Sequence, residues 1–503
     1  MLFRKWPEII CDAPSRVDPG RPIPVFIIIK DAHLYPIQLE KVAIHLRYEQ
    51  GFERIAQFPY GEETISEPIW WDSINIMPEF PGVMNIMVSI IVRKGRKRVQ
   101  VNIDNYRGTT HSPLKVHAAA SYLPKASNWY RGDIHCHSYY TSDQIEFGAP
   151  LEVMSFAAFC MGLDWIAVTD HSYDLDDFNN DYCKEDPLLA KWHMMRNKAK
   201  FLSPATIVIP GEEVTCRTIS GHNCHLLSLD SEKFIKGSGD SGEKGLKTKT
   251  EKSVGEAVRE CIEWNGLACA AHPLEDIPFL ERVILARGKW TNTDMEYPGL
   301  SALQVYNGIK DRGFRIGKEA WIRLLLKGKR IYAFGGSDAH GDMNRRRHIM
   351  MPLMSMGEDD SHTLGSVCTC VKANSRNKED IVEGLKKGRA LVSDGPFIDL
   401  SIAQNSFIAF PGSEISGLPC KIKADIFSSS EFGTLKNACI LAGKKGDPDE
   451  KELVFLNDNF SDYKRSLERN LSLSEFSYIR AECTTVSGKN CFTNPIWIVN
   501  NSR

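Results

Sequence analysis

The chain has 503 residues, 42% of them hydrophobic and 25% charged, with a formal net charge of −2. That length exceeds one ordinary core and predicts two or three domains, and the near-neutral balance excludes a global pull toward nucleic acid or anionic membrane. No apolar run reaches the ~18 residues of a membrane span, residues Met1–Pro7 lack the apolar stretch of a signal peptide, and fourteen scattered cysteines without a CxxC pair read as buried thiols of a reducing cytoplasm.

Residues 1–125 read as a β-rich domain. Pro22 to Ile29 is a strand opened by prolines, Ile44 to Tyr48 alternates apolar and polar, and Val83 to Val92 is a third strand. No helical period appears, so a small sandwich is expected. His33, His45, His111 and His117 occur singly and read as surface or core residues.

From residue 126 strands and helices alternate. Pro150 to Leu163 is a helix, with Pro150 in its first turn and Gly162 at its end. Asp164 to Val168 is a buried strand ending at Thr169–Asp170–His171, and Thr206 to Pro210 leads to Gly211–Glu212–Glu213. Ser253 caps a helix expected to bury Val254, Ala257, Val258, Cys261 and Ile262. Gly266 to Ala271 leads to His272–Pro273, Leu303 to Asn307 is a strand, and a helix around Lys318–Leu326 precedes Arg330 to Phe334. Site residues thus fall at the C-terminal ends of successive strands, where a parallel βα barrel places its chemistry.

Two inserts interrupt this pattern. Lys236 to Ser253 is rich in Gly, Ser, Lys and Glu and reads as mobile. Gly341 to Gly365 carries Arg345–Arg346–Arg347, read either as a solvated loop or as an anion clamp beside the site. A helix from Asn377 to Lys387 follows. Residues 399–503 then return to β patterns at Leu400 to Gln404, Lys421 to Phe427, Ala438 to Leu441 and Tyr478 to Cys483, a C-terminal β-rich domain after the central 126–398.

Two histidines two apart in Asp133-x-His135-x-His137 share one side of a strand. With Asp143, His171, Glu213, His225, His272, Asp338 and His340 they exceed what one ion needs, which predicts a multinuclear metal centre. Gly221–His222–Asn223–Cys224–His225 offers two histidines for one place; both are retained, His225 fitting the strand start better. Gly211–Glu212–Glu213 offers two carboxylates, of which Glu213 fits the family pattern named below better. There is no Gly-x-Ser-x-Gly, P-loop or dinucleotide fingerprint, and Cys136 falls on the face opposite the two histidines.

Taken in order, these motifs with Gly336–Ser337–Asp338–Ala339–His340, Gly388–Arg389–Ala390 and Asp394–Gly395–Pro396 resemble the polymerase and histidinol phosphatase (PHP) family of metal-dependent phosphoesterases, and within it the branch containing the carbaryl hydrolase. The resemblance spans about Tyr130 to Pro396. It implies an α/β fold: a distorted (β/α)7 barrel flanked by N- and C-terminal β-rich, sandwich-like domains. It also implies two or three divalent ions (Mn, Zn or Fe). One would lie on His135, His137, Glu213 and Asp338, a second on Glu213, His225 and His272, and a third on His171 and His340. Ser142–Asp143–Gln144 departs from the family's Ser-Asp-Gly, which leaves the role of Asp143 open.

The function expected is metal-dependent hydrolysis of a small, anionic phosphorylated metabolite or nucleotide through a metal-activated hydroxide. Asp170 or His340 would protonate the leaving oxygen, and Asp133 would orient a ligand histidine. Hydrolysis of a carboxylic ester or carbamate is the alternative. A non-catalytic metal-binding module is a third reading.

Overall fold

A computed structural model describes residues 5–499 except 62, 142–147, 180, 203–205, 241–249, 351–354 and 458–461. The N-terminal part is built from two sheets. One pairs Glu8–Asp12, Ile23–Lys30 and Ile69–Ile76. The other centres on Ile37–Tyr48 and Gly82–Lys94. Along Gly82–Lys94 the side chains Met84, Ile86, Val88, Ile90 and Val92 are buried and their neighbours are half-exposed, the period of 2 expected of a strand with one wet face.

The centre of the chain forms a mixed sheet. Its strands are β1 (Trp129–His137), β2 (Trp165–Val168), β3 (Ile207–Arg217), β4 (Asn223–Leu229), β5 (Leu267–Ala270), β6 (Ala302–Asn307), β7 (Tyr332–Gly336), β8 (Cys368–Lys372) and β9 (Ala390–Ser393). Their order in space is β7-β6-β5-β4-β3-β2-β1-β8-β9. The longer helices among the described residues pack along it: α1 (Leu151–Met161), α2 (Ala190–Phe201), α3 (Val254–Glu263), α4 (Arg312–Leu326) and α5 (Lys378–Lys386).

Local signals behave as their chemistry requires. Gly162 ends α1 in the left-handed region at φ 88°. Ser253 and Glu256 close a reciprocal capping box on α3. Val254, Ala257, Val258 and Cys261 are buried on that helix, but Ile262 is 45% exposed, one residue beyond the buried stripe. Gly132 lets β1 and β2 approach, since a Cβ there would lie 2.2 Å from the Trp165 ring.

The expectation of a distorted (β/α)7 barrel is overturned. The chain is strand-rich, 44% strand against 15% helix, and its central sheet is a curled half-barrel. β3 runs directly into β4 with no helix between them, and β4 is antiparallel to both its neighbours. β7 shares its ladder with β6, and only the two-residue bridge Ala339–His340 beyond it pairs with β1. On its other side β1 is antiparallel to β8, and the sheet continues through β9 and Asn490–Thr493 into Tyr478–Thr485 and Leu435–Gly443, sixteen strands among the described residues. The misreading has a physical cause. A polar residue after a short apolar run marks a strand end, but neither strand direction nor sheet closure leaves a trace in that pattern. Among the described residues no helix is long and apolar enough to cross a membrane.

Candidate metal centre

The curl of the sheet brings the strand-end residues together. His135 and His137 lie on one face of β1, with Nε2 atoms 3.1 Å apart. Glu213 comes from β3. The β3–β4 register sets Thr215 opposite His225, so Glu213, two residues from Thr215 on the same face, is brought beside that imidazole. His171 follows β2, His272 follows β5, and Asp338 and His340 follow β7. Asp338 and His272 both have positive φ, 56° and 27°, backbone that side chains rarely adopt and that tends to collect at functional sites.

Glu213 is the hub. Its Oε2 lies 3.4 Å from His135 Nε2, 3.3 Å from His137 Nε2 and 3.1 Å from His171 Nδ1. Its Oε1 lies 2.8 Å from His225 Nδ1 and 3.1 Å from His272 Nε2. Asp338 Oδ1 is 3.3 Å from both His135 and His137. Donor atoms thus form the groups His135–His137–Glu213–Asp338, Glu213–His225–His272 and His137–His171–His340, with His272–Glu275–Asp338 at the rim.

The first group was tested for fit to an ion. A tetrahedral cation with ligands at ~2.0–2.1 Å separates those ligands by ~3.3–3.4 Å. The spacings here are 3.1, 3.3, 3.3, 3.3 and 3.4 Å. Tautomers agree. His135 Nδ1 faces Gln304 Oε1 at 2.8 Å, an oxygen that also faces the His272 backbone N–H, so Nδ1 is the donor. Thr141 Oγ1 donates to Asp170 and accepts from His137 Nδ1 at 3.3 Å. Both Nε2 lone pairs then point at one spot flanked by carboxylate oxygens, an arrangement a cation satisfies.

Electrostatics follow from burial and crowding. Burial alone would lower the histidines, but Glu213 and Asp338 raise His135 and His137, and Glu213 with Asp240 pushes His225 up to about 10. Burial would raise Glu213 and Asp338, yet the imidazoles around them hold both carboxyls well below the usual range.

The remaining predicted residues divide. His225 joins the cluster, while His222 is exposed on the preceding turn, its Nδ1 3.2 Å from Ser220 Oγ. Asp143 falls outside the described residues. Both oxygens of Asp170 are engaged, Oδ1 accepting from Ser138 N and Thr141 Oγ1 and Oδ2 from Ser138 Oγ, so it braces the turn after His137. Asp133 takes the backbone N–H groups of His135, Ser337 and Gly365 and the Ser337 hydroxyl, joining the two ligand-bearing turns by their main chains and not by a ring. Glu212 points to the other face of β3, accepts from Trp192 Nε1 and Ile235 N, and is pushed by burial up to about 8.

The three arginines do not act together. Arg347 is buried with Asp342, Asp104 and Asp12 at 3.2, 3.3 and 3.5 Å. Arg345 pairs with Glu358 and donates to the Pro113 carbonyl. Residues Arg346–Met350 form a strand paired with Ser355–Asp359, so alternate side chains part, and Arg346 alone lines the pocket over the cluster. That pocket holds about 280 Å³, and cluster residues line it together with Arg346, His348, Asp359, Arg287 and Lys289.

Sequence reasoning missed several contributors. Gln304 fixes the His135 ring, and its amide within the apolar strand Leu303–Gln304–Val305 was a visible signal. Asn307 reaches Asp338 Oδ2 and Glu275. Asp240 holds His225 Nε2 at 2.7 Å and pairs with Arg287, yet it lies in the Gly/Ser-rich insert, where nothing distinguishes it.

No protein-family model matches the chain, and no curated protein matches it. Among solved structures it is similar to a glycosyl hydrolase family 2 member from Bacteroides cellulosilyticus DSM 14838 (10% identity, 98% of this chain and 63% of that one, TM-score 0.18). A β-glucuronidase from Bacteroides uniformis gives 12% identity over 98% of this chain and 61% of that one, with a TM-score of 0.17. A trypsin-activated alpha-2-macroglobulin from Escherichia coli gives 8% over 99% and 24%, with a TM-score of 0.16. The chain spans less than two thirds of the length of these three proteins. At such TM-scores neither fold nor activity carries over.

Proposed function

We propose that this chain is a metal-dependent hydrolase that cleaves small anionic substrates, phosphate esters foremost, at a centre of two or three divalent cations. The observation that carries this reading is Glu213, whose two oxygens face two different sets of imidazoles. The order of ligands along the chain, which resembles that of the PHP phosphoesterases, supports the same reaction class. Imidazole and carboxylate donors without a thiolate suit Mn, Zn or Fe; Cys136 turns away, its Sγ on the Ala167 carbonyl.

Bound there, divalent cations supply Lewis acidity, an acidified water and neutralisation of the phosphoryl oxygens. The chain's own groups do the rest. Gln304 and Asp240 hold His135 and His225 in fixed tautomer and orientation. Arg346, with no ion-pair partner among the described residues, pairs with a substrate oxyanion entering the pocket. His340 donates an Nδ1–H hydrogen bond to the Asp338 carbonyl at 3.0 Å, which leaves Nε2 to carry a proton to the leaving oxygen at a two-ion centre, or to hold the third ion at a three-ion one.

The test is elemental analysis of protein purified without chelator, then turnover of an aryl phosphate, a phosphodiester and a neutral carboxylic ester. Two or more equivalents of metal and preferential phosphoester turnover are expected. Arg346→Gln should lower kcat/KM for phosphate substrates about tenfold, the scale of one lost charge-assisted hydrogen bond, and leave the neutral ester within about twofold. One equivalent of metal or less, or faster turnover of the neutral ester, overturns the reading.

A further inference from the structure

Asn307 ends β6 in parallel register with Gly336 of β7, two residues before Asp338. Its buried side chain stands midway in a chain of hydrogen bonds whose direction is fixed. The backbone N–H of His272 faces Gln304 Oε1 at 3.4 Å, and a backbone N–H can only donate. That oxygen is therefore the acceptor, for His272 N and for His135 Nδ1–H. Gln304 Nε2 must then donate to Asn307 Oδ1, at 2.8 Å. Asn307 Nδ2 in turn donates to Asp338 Oδ2 at 3.2 Å and to Glu275 Oε2 at 3.0 Å. The same Glu275 oxygen lies 3.5 Å from Nδ1 of His272, the ring whose Nε2 faces Glu213.

This chain joins two groups of donor atoms. His135 and Asp338 belong to the first, and His272 belongs to the second. Glu213, common to both, joins them directly. Gln304, Asn307 and Glu275 join them a second time, without entering either of those two groups. The Asn307 amide is the critical link, because one NH2 serves two carboxylates. Asp338 Oδ1 faces His135 and His137, which leaves Oδ2 for that amide. Without it Asp338 and Glu275 lose their shared donor, and two like charges are left to turn apart. Ordering the first group then no longer orders the second. With the amide in place, an ion that fixes Asp338 also fixes Glu275, and through it the His272 ring, before a second ion arrives.

We propose that Asn307 is a positioning residue that couples the two ion sites, so that filling one favours filling the other. The coupling rests on the metal centre proposed above, and metal binding, not turnover, is the readout that tells the two apart. Manganese and zinc chlorides are each titrated calorimetrically into the full-length chain after it has been stripped with chelator. The native chain should take up at least two equivalents. Asn307→Leu, close to asparagine in size, should weaken two of them, each about tenfold to a hundredfold. Glu275→Gln disturbs only the His272 ring and should weaken a single equivalent, about tenfold. In the double variant the effect of Glu275→Gln should shrink, because Glu275 has no fixed direction once Asn307 is gone. Circular dichroism of the metal-free proteins accompanies each titration. If Asn307→Leu does not fold, Asn307→Ser takes its place, since its hydroxyl is too short to bridge two carboxylates. Fewer than two equivalents on the native chain sinks the metal centre and this coupling together. Two native equivalents with a loss confined to one of them in the Asn307 variant, with no loss, or with fully additive effects in the double variant, overturn the coupling alone.

Discussion

Two buried ionic clusters in this molecule have opposite designs. Around Arg347, one guanidinium serves three carboxylates, those of Asp12, Asp104 and Asp342. Around Glu213 and Asp338, the partners within ion-pair distance among the described residues are all histidines, with no Lys or Arg. The first cluster carries its own cation and ties the N-terminal sheets to the hairpin beyond β7. The second leaves carboxylates facing imidazole lone pairs, a set that calls for a cation from outside. Burial and charge density are alike, and the source of the positive charge separates a structural clamp from a site.

Glu213→Gln is the hardest blow to the second design. It should lower turnover by at least about a hundredfold and reduce bound metal to one equivalent or less. The far-ultraviolet circular dichroism should stay the same, because Glu213 holds no backbone group in place. Loss of fold with metal retained would dissolve the contrast. Arg347→Met is the mirror experiment. Leaving three buried carboxylates without their cation should cost about 3–5 kcal/mol in denaturant unfolding, while metal per folded molecule stays unchanged.

These clusters also show what could be read from residues alone. Histidines and acids stand out against apolar runs, so most of the residues that the fold gathers into the cluster were visible before any coordinates. Closure of the sheet was not, because β4 reads the same whether it runs with its neighbours or against them. Asp240 was hidden by its Gly/Ser-rich surroundings. Arg345, Arg346 and Arg347 were treated as one block, and a strand's alternation would have put Arg346 on the opposite face from the other two.

A third ionic group sharpens the comparison through pH. Burial would raise Glu482, but Arg480 and Lys318 outweigh it and hold the carboxyl down at about 2. A depressed carboxylate stabilises the fold above its unfolded value, ~4.5, and that stability is lost as pH falls from there through 2. The stability gap between the native chain and Glu482→Gln should be up to about 3 kcal/mol at pH 6, less solvent screening, and should close near pH 2. A gap that persists in acid would mean packing, not charge, holds Glu482. The smallest effect belongs to His222→Ala. Metal content and turnover should stay within about twofold, since His222 is exposed outside the cluster; a loss of metal would return it to the ligand set.

The seam between β9 and Asn490–Thr493 bears on how the chain matures. Leu391, Val392 and Ser393 pair with Thr493, Phe492 and Cys491. The side chain of Asn494 exchanges two hydrogen bonds with the backbone of Ala333 in β7. Those partners leave the ribosome about a hundred residues after β9, roughly 5–20 s later at ordinary elongation rates. Until then β9 presents a bare apolar edge open to any neighbouring strand. A nascent chain stalled in that interval is the form of this protein most exposed to aggregation and most in need of a chaperone.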